Sequence, residues 1–282
     1  MSPDAYCQVR ASRSGSSFYY SFSFLPADRR RAITALYAFC REVDDVVDEC
    51  RDLSVASAKL AWWRDEVDRL ECGDPQHPVT RALAPHLPVY SLHCSRLREI
   101  IDGMEMDLEQ NRYLDYESLR LYCHRVAGVV GILAASIFGF SDPRTLMYAE
   151  KLGLAFQLTN IIRDVREDAR IGRVYLPLAE LRRFGVAESD LIAGRVTDGF
   201  NSLMRFQHER AVSTYREALA LLPDTDRRSQ RPGLVMASIY ATLLSEIERD
   251  GLRVLTHRTS LPPLRKLWLA WRTWRTGRVR GL

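Results

Sequence analysis

The chain has 282 residues, 46% hydrophobic and 27% charged, which is ordinary for a soluble globular protein with a large buried core. The net charge of +4 is uneven: residues 251–282 carry eight Arg or Lys and no Asp or Glu, so the first 250 residues sum to 4 − 8 = −4 and the tail alone is basic. No uncharged apolar run reaches the roughly 18 residues of a membrane-spanning helix, and the N-terminus lacks the apolar stretch of a secretory signal, so a cytoplasmic location is expected.

Apolar residues recur at three- and four-residue spacing nearly throughout, and alternating β-branched stretches are scarce, which predicts an all-α chain. Helices are expected over roughly 28–50, 54–72, 89–110, 116–138, 142–169, 197–222, 233–257 and 262–276. Pro26-Ala27-Asp28 and Ser141-Asp142-Pro143 mark helix starts. Gly73-Asp74-Pro75, Gly172, Pro177, Pro223, Arg231-Pro232-Gly233 and Pro262-Pro263 mark breaks. With no internal repeat and no low-complexity linker, residues 1–282 are read as a single domain. The six cysteines and six histidines form no C-x-x-C, H-E-x-x-H or zinc-like spacing, so the cysteines are read as free thiols.

Two segments break the apolar pattern. In Phe39-Cys40-Arg41-Glu42-Val43-Asp44-Asp45-Val46-Val47-Asp48, Asp44 and Asp48 lie four apart on one side of a helix, where like charges cost a few tenths of a kcal/mol. Alone, the segment also fits a surface helix laced with salt bridges. In the second, Gln157, Asn160, Asp164 and Asp168 fall on one polar stripe of a helix otherwise apolar at Leu154, Phe156, Leu158, Ile161 and Ile162. Buried carboxylates need partners or a metal. Two D-x-x-x-D segments, each beside an arginine (Arg41 and Arg163), point to two carboxylate faces opposed across a cavity. Hard oxygen ligands suit Mg2+, which bridges protein carboxylates to phosphates, and arginine takes the remaining phosphate oxygens. Diphosphate binding through Mg2+ follows.

These segments resemble the squalene and phytoene synthase family. Tyr37 to Asp48 resembles its first aspartate-rich region. Gln157 to Asp168, followed by Gly172-Arg173-Val174-Tyr175-Leu176-Pro177, resembles its second. Tyr122-Cys123-His124-Arg125-Val126-Ala127-Gly128-Val129-Val130-Gly131 matches its Y-C-x-x-V-A-G-x-V-G signature, and Gly15-Ser16-Ser17-Phe18-Tyr19 its serine-containing substrate loop. The likeness spans about residues 14–257. Within the family, GSSFYYSFSFLP, DGMEMDLEQNRYLDYESL, QRPGLVMASIYATLLSEIERDGLRVL and PLRKLWLAW are most similar to the presqualene diphosphate synthases of bacterial hopanoid synthesis.

The resemblance implies an isoprenoid synthase helical bundle with a central active-site cavity. It implies that Asp44 and Asp48 from one helix, and Asn160, Asp164 and Asp168 from another, bind Mg2+. It assigns diphosphate contacts to Arg41, Gln157, Arg163, Ser17, Tyr37 and Tyr240, with Ser14 and Gly15 in the same loop. Tyr37 and Tyr240 also read as packing aromatics, and Ser17 as a helix cap. Asp45, about 100° around the helix from Asp44, is left out of the metal set. The implied reaction is head-to-head condensation of two farnesyl diphosphates to presqualene diphosphate, without NADPH. The alternatives are phytoene synthesis from geranylgeranyl diphosphate and, in another class, a non-catalytic assembly protein. Many relatives carry a tyrosine before V-A-G where this chain has Arg125; if that tyrosine serves the later steps of squalene synthesis, its absence argues against a complete squalene synthase reaction. Ala127, Gly128, Gly131, Ala134 and Ala135 either allow close helix packing or leave room for a prenyl chain. Asp107 and Glu105 either touch the cavity or, as the favoured reading, belong to a solvated face.

In the tail, Leu264, Leu267, Trp268, Trp271 and Trp274 fall within an arc of about 120°, flanked by Arg265, Lys266 and Arg272. That pattern suits either peripheral contact with the inner face of the membrane or a helix docked on the body. No nucleic-acid reader motif accompanies the basic residues, so no nucleic acid is expected as a partner.

Overall fold

In the computed structural model, residues 1–13, 21–22, 24–50 and 52–282 are described; Ser14, Gly15 and Ser17, with Phe18 and Tyr19, lie outside them. Among the described residues there is no strand, only one isolated bridge between Arg112 and Val174. The helices in order are α1 (Pro3–Arg13), α2 (Ala27–Glu49), α3 (Leu53–Glu71), α4 (Pro78–Leu83), α5 (His86–Val89), α6 (Cys94–Glu109), α7 (Tyr116–Cys123) and α8 (Val129–Phe138). Then follow α9 (Arg144–Arg170), α10 (Leu178–Arg183), α11 (Glu188–Ala193), α12 (Asp198–Leu221), α13 (Arg231–Arg249) and α14 (Pro263–Thr276).

Local chemistry explains the ends. Asp52 accepts hydrogen bonds from the Ser54 and Val55 amides and starts α3, and Asp115 with Ser118 forms a reciprocal capping box that starts α7. The expected helix at 89–110 begins only at Cys94, because the chain turns through Ser91 at a φ of 51°. The expected helix at 233–257 stops at Arg249, where Gly251 (φ 75°) and Leu252 (φ 57°) reverse the chain. The short helices α4, α5, α10 and α11, and α1 itself, were not expected. The six cysteines are free, as expected.

Two apolar clusters form the interior. One gathers α2, α3, α6 and α8 around Leu36, Phe39, Leu60 and Ile100. The other gathers α9, α12 and α13 around Leu152, Phe200, Tyr215 and Leu244. Where they meet, α8 and α9 touch backbone to backbone. A Cβ on Gly131 would lie 2.3 Å from the Ala149 carbonyl oxygen, and one on Gly153 would lie 2.4 Å from that of Ala127. Between α7 and α8, His124–Gly128 forms a π turn, which widens the helix at the V-A-G signature. By length and composition alone the continuous helix Tyr116–Phe138 could cross a membrane. Here its glycine seam packs against α9 and Val126, Ala127 and Val130 line an internal cavity.

Candidate active site

A cavity of about 990 Å3, counting its open mouth, lies at the meeting of the two clusters. Two helices build it in the same way. Along α2, Ile33, Leu36, Tyr37 and Cys40 line the wall, and the next turns of that stripe carry Arg41, Asp44 and Asp48. Along α9, Ala149, Leu152, Gly153, Phe156, Gln157 and Asn160 line the wall, and the next turns carry Arg163, Asp164 and Asp168. Each stripe therefore passes from apolar to carboxylate at the same end, which gives a greasy chamber with an acidic rim. The small residues serve both purposes considered for them: Gly131 makes the close helix contact, and Ala127, Gly131, Ala134 and Ala135 also line the chamber.

The rim is a charge network. Arg41 binds both Asp44 and Asp45 at 2.5 Å. Asp45 is further gripped by Arg10 of α1, which also holds Glu42 at 2.7 Å, while Tyr6 donates to Glu42 at 2.8 Å. Asp45 is thus committed to the back of α2. Asp48 accepts from Arg173 at 3.1 Å. Asp164 accepts from Arg163 at 2.8 Å and from Arg258 at 2.6 Å. Lys266 stands near both arginines: burial lowers its pKa, and the charges of Arg163 and Arg258 lower it further. Between the two clusters, Asp107 accepts hydrogen bonds from Tyr122 and Tyr175, each at 2.8 Å, within a stack completed by Tyr113.

Burial pushes Asp44 up to about 7, with Asp48 adding to it, and pushes Asp168 up to about 7, with Asp164 adding to it. Asp107 rises to about 6 through burial, in part offset by its bond from Tyr122. Its charge reaches both Asp44 and Asp168, so the two aspartate clusters face one space. Asp164 goes the other way: burial would raise it, but Arg163 and Arg258 together hold it below the usual carboxylate range.

Asp44 and Asp168 are buried acids whose charged forms a bound cation would favour. The buried Asn160 Oδ1 has no hydrogen-bond partner and lies on the same stripe. Among the described residues, no three of His, Cys, Asp and Glu converge as a ready-made ligand set. Mg2+ needs none, since it is held through one or two carboxylates together with waters and phosphate oxygens. The aspartates and Asn160 fit it, because they offer hard oxygen ligands crowded at one mouth.

A pH dependence follows. For Asp44 and Asp168 the folded pKa exceeds the unfolded one, so between the ordinary 3.8 and about 7 the folded protein holds more protons. Their contribution to stability is greatest below that window and falls as pH rises through it. Without Mg2+, the melting temperature of the Asp44→Asn, Asp168→Asn double variant should rise relative to that of the wild type as pH increases across this interval. Added Mg2+ should raise the melting temperature more at the alkaline end than at the acid end. Melting curves with Mg2+ or a chelator check both statements.

Four residues named from sequence, Tyr37, Gln157, Asn160 and Tyr240, stand in the cavity wall, and Tyr240 packs its ring on Phe156 with centroids 4.9 Å apart. Arg41, Asp44, Asp48, Arg163, Asp164 and Asp168 stand at the rim. Asp107 corrects its reading as a solvated residue, whereas Glu105 does pair with Arg64 on the outside. Sequence reasoning missed Arg173, Tyr175, Arg258 and Lys266. The first two sat in a quoted motif without a role, and Arg258 lies in the loop beyond the true end of α13.

A family model described as squalene/phytoene synthase matches residues 11–265. Over 278 residues the chain is 36% identical to a phytoene synthase from Arthrospira platensis, covering 93% of this chain and 89% of that one. It is 36% identical to a 15-cis-phytoene synthase from Synechococcus elongatus, again over 93% and 89%. Among solved structures it is similar to a dehydrosqualene synthase in complex with ligand, with a TM-score of 0.84, 27% identity and coverage of 96% and 94%. It is also similar to a squalene synthase from Alicyclobacillus acidocaldarius, with a TM-score of 0.70, 27% identity and coverage of 98% and 94%. An all-helical chamber with two aspartate clusters at its mouth belongs to the class of isoprenoid synthases. The chain is a member of the squalene/phytoene synthase family, and its fold is the isoprenoid synthase helical bundle.

Proposed function

We propose that the protein joins two allylic prenyl diphosphates head to head in a Mg2+-dependent reaction at this rim. The observation that carries the reading is the matching stripe on α2 and α9, each apolar along the chamber and each continuing into D-x-x-x-D beside Asp107. Asp44 and Asp48 on one side, and Asn160, Asp164 and Asp168 on the other, would hold the metal. Bound Mg2+ supplies neutralisation of the diphosphate as it leaves. Arg41, Arg163, Arg258 and Lys266 bind and orient the phosphate oxygens. The C1–O bond of the donor breaks and its electron pair stays on the diphosphate. The double bond of the second prenyl chain attacks the allylic cation, and loss of a proton to the released diphosphate closes a cyclopropane. The apolar wall keeps water from the cation, and the faces of Tyr37, Phe156 and Tyr240 offer it π density. Stopping at the cyclopropyl diphosphate requires no nicotinamide.

Two chain lengths are in play. The curated relatives at 33–36% identity are named phytoene synthases, which favours geranylgeranyl diphosphate as substrate. The reading with farnesyl diphosphate, giving presqualene diphosphate for hopanoid synthesis, rests on the four subgroup-like stretches and on the likeness to the dehydrosqualene synthase. Product analysis separates them. Purified protein is incubated with Mg2+ and each substrate, with and without NADPH, then treated with phosphatase and analysed by mass spectrometry. Phytoene from the C20 substrate supports the first reading. Presqualene alcohol from the C15 substrate, regardless of NADPH, supports the second. No condensation product from either overturns the proposal.

The proposal includes a cytoplasmic protein touching the inner face of the membrane through α14. That helix docks by Leu269, Ala270 and Thr273, whose hydroxyl bonds Ser238 at 2.8 Å. It leaves Leu264 80%, Leu267 50%, Trp268 46% and Trp271 51% exposed on the opposite side. Arg272 lies over Trp268 and Arg275 over Trp271, an arrangement suited to a headgroup layer. Replacing Trp268 and Trp271 with serine should lower co-sedimentation with anionic liposomes at unchanged melting temperature; unchanged sedimentation removes the membrane role.

A further inference from the structure

The chamber has a polar mouth and an apolar far end. At the far end four helices each contribute a last wall residue: Ile33 of α2, Phe138 of α8, Tyr148 of α9 and Pro232 of α13. Of these, Tyr148 is the one whose chemistry is out of place. It is 1% exposed, and its hydroxyl has no hydrogen-bond partner. A buried hydroxyl left unpaired costs stability, and phenylalanine would avoid that cost. Gly233 faces it: a Cβ there would lie 2.9 Å from the Tyr148 oxygen. The ring therefore reaches its full length against the first turn of α13 only because that position has no side chain. Tyr148 precedes Asn160 by 12 residues on one helix, about 18 Å at the rise of an α-helix. A prenyl chain anchored at the rim and running along α9 ends against this ring.

We propose that Tyr148, seated against Gly233, is the stop that sets the longest prenyl chain the cavity accepts. This rests on the prenyl diphosphate reading above and adds a specificity-determining residue to it. The stop acts on hydrocarbon length, not on the diphosphate, so changing it leaves the rim intact.

The test uses the full chain carrying Tyr148→Ala, Tyr148→Leu or Tyr148→Phe. Turnover is measured with C15, C20 and C25 prenyl diphosphates, and affinity with uncleavable thiolodiphosphates of the same lengths. Tyr148→Ala and Tyr148→Leu should move the preferred chain one isoprene unit longer, changing the specificity ratio by at least about tenfold. Tyr148→Phe should keep the wild-type preference and raise the melting temperature. A folded Tyr148→Leu variant whose ratio stays within about twofold of wild type overturns the stop while leaving the prenyl reading standing. If the wild type neither turns over nor binds any of the three lengths, the prenyl reading itself fails, and the stop with it.

Discussion

Asp164→Asn is expected to reduce Mg2+-dependent turnover by at least about 10²–10³-fold, the scale on which a transition-state charge contact is felt. Asp164 is a rim carboxylate held in its charged form, below the usual carboxylate range, because Arg163 and Arg258 both donate to it. Asparagine keeps the shape but loses the charge, so one metal-binding face is broken and two arginines lose their anionic partner. Asp48→Asn should behave similarly from the opposite face, through its exposed carboxylate and its contact with Arg173. Asp45→Asn is the informative contrast. Asp45 is tied to Arg10 and Arg41 on the back of α2, so its loss should cost some stability but leave most of the turnover. Rates at saturating Mg2+, with melting curves of the same variants, check this. Equal losses at Asp45 and Asp164 would contradict the assignment of faces.

Gly153→Ala is expected to destabilise the protein even though alanine is ordinarily the better helix former by up to about 1 kcal/mol. The added Cβ would lie 2.4 Å from the Ala127 carbonyl oxygen and 2.7 Å from its carbon, and both are backbone atoms that cannot swing aside. Overpacking of this kind costs about 1–3 kcal/mol, or roughly 2–4 °C of melting temperature per kcal/mol in a chain of about this size. Gly131→Ala should act in the same direction, with 2.3 Å to the Ala149 carbonyl oxygen. The two lie in one seam, so their costs should not add. Because the seam also forms the chamber wall, activity should fall beyond the loss of folded protein. Thermal melts and rates per folded molecule test this; a Gly153→Ala variant as stable as wild type would mean that the helices part easily.

The aspartate clusters were legible because they violate a pattern: carboxylates four apart on stripes that are otherwise apolar need a reason. The long helices were legible from periodicity, and Asp44, Asp48, Asn160, Asp164 and Asp168 fell on the expected stripes. What stayed hidden depends on tertiary placement. Asp107, Tyr122 and Tyr175 come from three separate segments and look ordinary in each; only packing brings the two hydroxyls onto the carboxylate. Arg258 was obscured by a helix expected to run through 233–257, whereas Gly251, a local stop signal, and the positive φ of Leu252 end it at Arg249. Gly131 and Gly153 were visible as small residues, yet their partners are carbonyls on another helix. Tyr148 reads as one more core aromatic until its hydroxyl is found without a partner.

The central claim is that this rim uses Mg2+ to release diphosphate from an allylic prenyl donor, and the most direct measurement is inorganic diphosphate release beside prenyl consumption. With Mg2+, release should accompany coupling: one diphosphate per two prenyl diphosphates consumed if the product is a cyclopropyl diphosphate, and two if the reaction runs on to the hydrocarbon. A chelator or Asp164→Asn should abolish release. Release that persists undiminished in both, or no release from either the C15 or the C20 substrate, would contradict the account.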